Sequence, residues 1–107
     1  MSLQQSTPQQ VADLVAGAHG VQVLDVREPW EWALGRIDGS VHIPMREIPA
    51  RIAELDPARP VVCVCHHGVR SMHVANFLAH QGFESVINLT GGIDAWSRQV
   101  DPSVPLY

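Results

Sequence analysis

The stretch Pro60-Val61-Val62-Cys63-Val64-Cys65-His66-His67-Gly68-Val69-Arg70-Ser71 decides the fold. Its first half is a continuous apolar run. Such a run fits a strand covered on both faces, as in a parallel sheet. From Cys65 the chain turns, with one glycine, and after Ser71 the apolar residues recur at helical spacing. Val74, Ala75 and Leu78 form the stripe, Met72 and Phe77 lie beside it, and Gly82 stops it. A buried strand leading through a tight turn into a helix is half of a βαβ unit.

Outward from this unit the alternation continues. Thr7-Pro8-Gln9-Gln10 predicts a helix start: Thr7 caps, Pro8 suits the first turn, and Gln10 completes a capping box. Val11, Leu14, Val15 and Ala18 then recur at helical spacing, and Gly17 and Gly20 close the segment. Residues 21–26 read as a strand, 27–34 as a short helical turn, and 40–43 as a second strand stopped by Pro44. Ile48, Ile52 and Leu55 outline another helix, 85–89 a further strand, 92–99 a last short helix, and 101–105 an extended tail. Strands alternating with helices predict an α/β domain with a mainly parallel central sheet. Repeats, low-complexity stretches and linkers are absent, so one domain is expected over residues 1–107.

Composition narrows the function classes. A chain of 107 residues buries roughly 60–70% of its unfolded surface, enough for one core. Eleven acids against seven bases give a net charge of −4, which argues against nucleic acid or an anionic membrane as partner. All seven bases are arginine, so lysine Schiff-base chemistry is excluded. Two cysteines cannot make a disulfide framework. The first ten residues lack a basic segment followed by an apolar one, so a signal peptide is not expected and the cytoplasm is.

The chemistry is expected where the buried strand ends. Ligands of open α/β sheets bind beyond the carboxyl ends of the strands. The turn after Cys65 can wrap its amides inward as an anion-binding nest, and the following helix aims its positive end at the same point. Arg70 adds a charge. A thiol placed there is expected to be largely thiolate near neutral pH, and so a nucleophile for an anionic substrate.

Four motifs carry a resemblance: L-D-V-R-E-P-W-E-W at 24–32, G-R-I-D-G-S-V-H-I-P at 35–44, C-H-H-G-V-R-S at 65–71, and N-L-T-G-G-I-D-A-W at 88–96. With these in order over nearly the whole chain, the sequence resembles the single-domain rhodanese family of sulfurtransferases. The resemblance implies a three-layer domain whose mainly parallel sheet of four to five strands carries helices on both faces. It implies that Cys65 attacks the outer sulfur of thiosulfate, that sulfite leaves, and that the persulfide passes its sulfur to a thiophilic acceptor. The acceptor would be cyanide in an assay and a thiol or a sulfur-carrier protein in the cell. Neither metal nor organic cofactor is implied, and a monomer is expected. His66, His67, Gly68, Val69, Arg70 and Ser71 would bind substrate around Cys65. Asp25 and Arg27 resemble structural wiring that holds loops near the site, with Trp96 beside them. The family often has His where this chain has Arg36, and Pro-Gly-Ala where it has Asp38-Gly39-Ser40.

Two other readings compete. A phosphatase or arsenate reductase of the C-x5-R type needs arginine six positions after the cysteine; here Ser71 stands there and Arg70 comes one position early. A non-catalytic binding module typically lacks the cysteine, and Cys65 is present. Cys63 reads as a buried structural thiol. The side chains of His66 and His67 are expected to splay outward, line the mouth of the site and, partly protonated near pH 6–7, favour anions, rather than converge on a metal. His73, Asn76 and His80 form a solvated helix face, Trp32 and Trp96 belong to the core, Trp30 is exposed, and His42 anchors a loop.

Overall fold

The structure, a computed structural model, describes residues 3–17 and 20–107. Five strands form one sheet: β1 Leu3–Ser6, β2 Gln22–Asp25, β3 Val41–His42, β4 Val61–Val64 and β5 Val86–Leu89, in the order β1-β5-β4-β2-β3. Every pairing is parallel. The helices are α1 Pro8–Gly17, α2 Pro29–Leu34, α3 Ile48–Arg51, α4 Val69–His80 and α5 Gly92–Gln99.

The period of two along the strands builds two cores. In β4, Val61 and Cys63, continued by Cys65, face one side with Val74, Ala75 and Leu78 of α4 and Ile48 of α3. Val62 and Val64 face the other side with Val11 of α1 and Ile93 and Trp96 of α5. This is why the run at 60–65 is apolar throughout: a central strand has no solvated face. Thr7 and Gln10 form the reciprocal cap of α1, with the Gln10 amide donating to Thr7 Oγ1 at 3.2 Å and the Thr7 amide to Gln10 Oε1 at 2.9 Å. Ala18, assigned to the stripe of this helix from the sequence, lies outside the described residues.

Some expectations need correction. β1 was not anticipated, because Leu-Gln-Gln-Ser carries no apolar alternation; it is an edge strand with Gln4 and Gln5 exposed, and its backbone pairing with β5 defines it. The helix after the turn at 65–68 begins at Val69, two residues before Ser71, because Gly68 takes the left-handed conformation that lets the chain enter it. Residues 45–54 form not one helix but α3 flanked by two 3-10 turns. The tail is not extended: the Val104 amide donates to the Asp101 carbonyl at 3.1 Å, and the turn tucks Val104 into the core of α1 and α5. Among the described residues, no helix is long and apolar enough to cross a membrane.

Candidate active site

Cys65 follows the last residue of β4 and is 1% exposed, with Sγ at the threshold of α4. The turn is shaped by what holds its carbonyl groups. The Cys65 carbonyl accepts from the Ile93 amide at 2.8 Å and the His66 carbonyl from the Asp94 amide at 3.1 Å. The Gly68 carbonyl accepts from Asn88 Nδ2 at 3.1 Å. Free amides at the start of α5 and a side chain of β5 thus draw these carbonyls away from the sulfur. The Gly68 amide points the other way and donates to Cys65 Sγ at 3.0 Å; the Ser71 hydroxyl lies 3.2 Å from the same atom. The Gly68 amide and the N-terminal end of α4 thus meet at this atom, a setting that favours an anion there.

The family model described as a rhodanese-like domain matches residues 7–99. The chain belongs to the rhodanese family. It is 39% identical over 102 residues to thiosulfate sulfurtransferase GlpE of Pseudomonas aeruginosa, covering 95% of this chain and 90% of that one. It is 44% identical over 90 residues to the rhodanese-like/PpiC domain-containing protein 12, chloroplastic, of Arabidopsis thaliana, covering 80% of this chain but only 30% of that longer protein. The crystal structure of a rhodanese-like domain protein from Staphylococcus aureus superposes with a TM-score of 0.84 at 29% identity, over 97% of this chain and 98% of that one.

In this rhodanese domain Arg70 does not stand free beside the sulfur. Its guanidinium makes a two-pronged pair with Glu31, at 2.6 and 2.8 Å. Glu31 is buried, and its two oxygens also accept from the Glu28 amide at 2.9 Å and the Tyr107 hydroxyl at 2.7 Å. The Arg70 guanidinium holds the Glu31 carboxyl at about 2, with the Glu28 and Tyr107 donors assisting against the cost of burial. Arg70 was expected to add a fixed charge at the anion site; in the structure that charge is paired with Glu31, which ties the turn to α2. Glu31 itself was missed. The signal was present, since its spacing from Glu28 makes it the partner in the capping box of α2.

Asp25 and Arg27 lie at the end of β2. Arg27 is fully buried, and its guanidinium donates to Asp25 Oδ2 at 2.7 Å, to the Gly35 carbonyl at 2.7 Å, to the Glu31 carbonyl at 3.2 Å and to the Tyr107 hydroxyl at 3.1 Å. His42 donates from Nε2 to the Arg27 carbonyl at 2.8 Å. Asp25, Arg27, Glu31 and Arg70 thus form a charge-balanced chain from the sheet to the turn that follows Cys65. Trp96 is not beside this chain; it sits in the core between α1 and α5, across the sheet from Cys65. Trp32 is only half-buried, stacked on His42 at 4.7 Å with the Arg36 guanidinium over it.

The rings of His66 and His67 lie against each other. Their ring centroids are 3.8 Å apart, and Tyr107 stacks on His66 at 3.9 Å. Burial and the neighbouring His67 lower the His66 imidazole from its ordinary range, against the protonation expected to help bind anions. With Asp94 the two rings are the one trio of metal-ligating side chains among the described residues, within 4.8 Å of one another. The rings lie face over face with a tilt of 32°; one ion lying in both ring planes at bonding distance needs them turned further toward each other. Asp94 is also engaged with Arg98 at 3.1 Å. Cys63 is buried in the same core as Cys65, and burial, with Cys65 beside it, pushes its thiol up to about 12.

The Glu31 cluster makes a prediction about pH. Glu31→Gln is expected to lower unfolding stability at pH 7 by about 1–3 kcal/mol, the cost of breaking a charge-assisted pair that is only partly solvated. The Glu31 carboxyl sits lower in the fold than its ordinary 4.5, so its stabilisation is complete above 4.5 and is lost as pH falls toward about 2. Denaturant titrations of the two proteins should therefore diverge at pH 7 and converge toward pH 2. A constant gap would assign the loss to shape rather than charge.

Proposed function

We propose that this rhodanese domain is a sulfurtransferase that takes a sulfane sulfur from thiosulfate or a similar donor and carries it as a persulfide on Cys65. The observation that supports this best is the sulfur atom's setting: Cys65 Sγ receives the Gly68 amide and faces the Ser71 hydroxyl at the start of α4. The likeness to a protein named thiosulfate sulfurtransferase, over most of both chains, supports the same reading.

The chemistry balances as two displacements. The Cys65 thiolate attacks the outer sulfur of thiosulfate; the S–S bond of the donor breaks, and sulfite leaves with the electron pair. The outer sulfur of the persulfide is then attacked by a nucleophilic acceptor, a thiolate in the cell or cyanide in an assay, and Cys65 recovers its thiolate. Negative charge is held by the turn and the helix end rather than by Arg70, which Glu31 neutralises. His66 and His67 lie at the mouth, where acceptor choice is made, and the 107 residues act as one unit.

The phosphatase reading is disfavoured by the same geometry. A phosphoryl group spreads charge over three oxygens, each wanting donors. Position 71 offers a hydroxyl, not a guanidinium, and the nearby Arg70 is bound to Glu31. Intact-protein mass spectrometry after thiosulfate treatment should show one added sulfur on Cys65. Aryl phosphates should not be hydrolysed above background. Cys65-dependent phosphate release without sulfur uptake would reverse the assignment.

A further inference from the structure

Asn88, near the end of β5, is 2% exposed, and its partners fix which way its amide faces. Nδ2 donates to the Gly68 carbonyl at 3.1 Å and to Gln5 Oε1 at 2.8 Å. The Gly68 carbonyl can only accept, so the nitrogen must face it. Oδ1 therefore faces Ser71, 2.6 Å from its hydroxyl oxygen. Oδ1 also only accepts, so the Ser71 proton lies on that line.

The same hydroxyl oxygen lies 3.2 Å from Cys65 Sγ, and it has one proton to give. With Cys65 as a thiol the chain is complete: the S–H donates to Ser71, and Ser71 donates to Asn88. With Cys65 as a thiolate, the sulfur needs the Ser71 proton. Giving it leaves Asn88 Oδ1 buried without its donor, a cost of the kind that buried polar atoms avoid. Turning the amide over offers no escape, because Oδ1 would then face the Gly68 carbonyl.

We propose that Asn88 is a positioning residue that acts through Ser71, competing with the Cys65 thiolate for the one hydroxyl proton and so setting how readily Cys65 ionises. Gln5, on the edge strand β1, is the outer anchor that keeps the Asn88 amide in this orientation. The inference concerns the site of the proposed sulfur transfer, but it rests only on the ionisation of Cys65.

The test is the pH profile of iodoacetamide alkylation, with the modified residue identified by peptide mass spectrometry. Ser71→Ala removes a donor to the thiolate and should move the midpoint to higher pH by about one unit. Asn88→Ala releases the Ser71 proton to the sulfur and should move it to lower pH by a comparable amount. In the Ser71→Ala background, Asn88→Ala should no longer move it, because the route through Ser71 is gone. A residue that merely supports the turn would not give opposite shifts that depend on each other. An alkaline or absent shift in Asn88→Ala, or an acid shift that persists without Ser71, overturns the proposal. If Asn88→Ala does not fold, Gln5→Leu decides: a smaller acid shift supports the proposal and an unmoved midpoint overturns it. Opposite shifts in a protein that takes no sulfur from thiosulfate would sink the sulfur-transfer reading and leave this one standing.

Discussion

Cys65→Ser is expected to take up no sulfur from thiosulfate and to lose sulfur transfer to the assay's background, while unfolding at close to the wild-type denaturant midpoint. A serine hydroxyl nearly matches the thiol in shape. It can accept from the Gly68 amide and face Ser71, so the packing at the end of β4 survives. What it cannot do is ionise near neutral pH or hold a second sulfur atom. Cys63→Ser is the companion. Cys63 lies in the same core, two residues earlier on β4, and its thiol is held at about 12, so it is neither ionised nor accessible. That variant should keep most activity and lose stability instead, since a hydroxyl replaces a thiol in an apolar core. Intact mass and the steady-state rate decide between the two residues. If Cys63→Ser is the inactive protein, the nucleophile has been misassigned.

The sulfur's position was legible in the sequence because a local pattern encodes it: an apolar run, a turn with one glycine, then helical periodicity. The sheet's parallel sense followed from the same alternation. What local pattern does not encode is which distant groups meet. Arg70 and Glu31 are 39 residues apart, and Tyr107 and Glu31 are 76 apart. From the sequence, an arginine beside a nucleophilic cysteine looks available to substrate; only the fold shows a buried carboxylate waiting for it. β1 escaped for the complementary reason. Its defining property is backbone pairing with β5, and a polar edge strand of four residues leaves almost no trace in side-chain pattern. Gln5 on that strand is consequently the part of the site furthest from view.

Gly92→Ala is the substitution outside Cys65 expected to do most damage, and the reason lies in the backbone. Gly92 has φ of +62°, and a Cβ there would stand 2.5 Å from the Cys65 carbonyl oxygen and closer still to that of His66. Those oxygens are the acceptors of the Ile93 and Asp94 amides, so they cannot retreat without breaking the bonds that orient the Cys65 turn. The left-handed conformation alone costs about 1–2 kcal/mol for a residue with a side chain. With the clash added, the expected loss of stability is about 2–4 kcal/mol. The expected loss of kcat/KM is about a hundredfold or more, because displacing the turn by even a fraction of an ångström re-aims the Gly68 amide and the sulfur. Gly39→Ala separates the two contributions. Gly39 has φ of +80° with open space where its Cβ would go, so it should show the backbone cost with activity unchanged. Denaturant unfolding and thiosulfate-dependent sulfur transfer, measured on both variants, read the contributions independently. Activity of Gly92→Ala within a few-fold of wild type would mean that the turn keeps its shape without the two amides of α5.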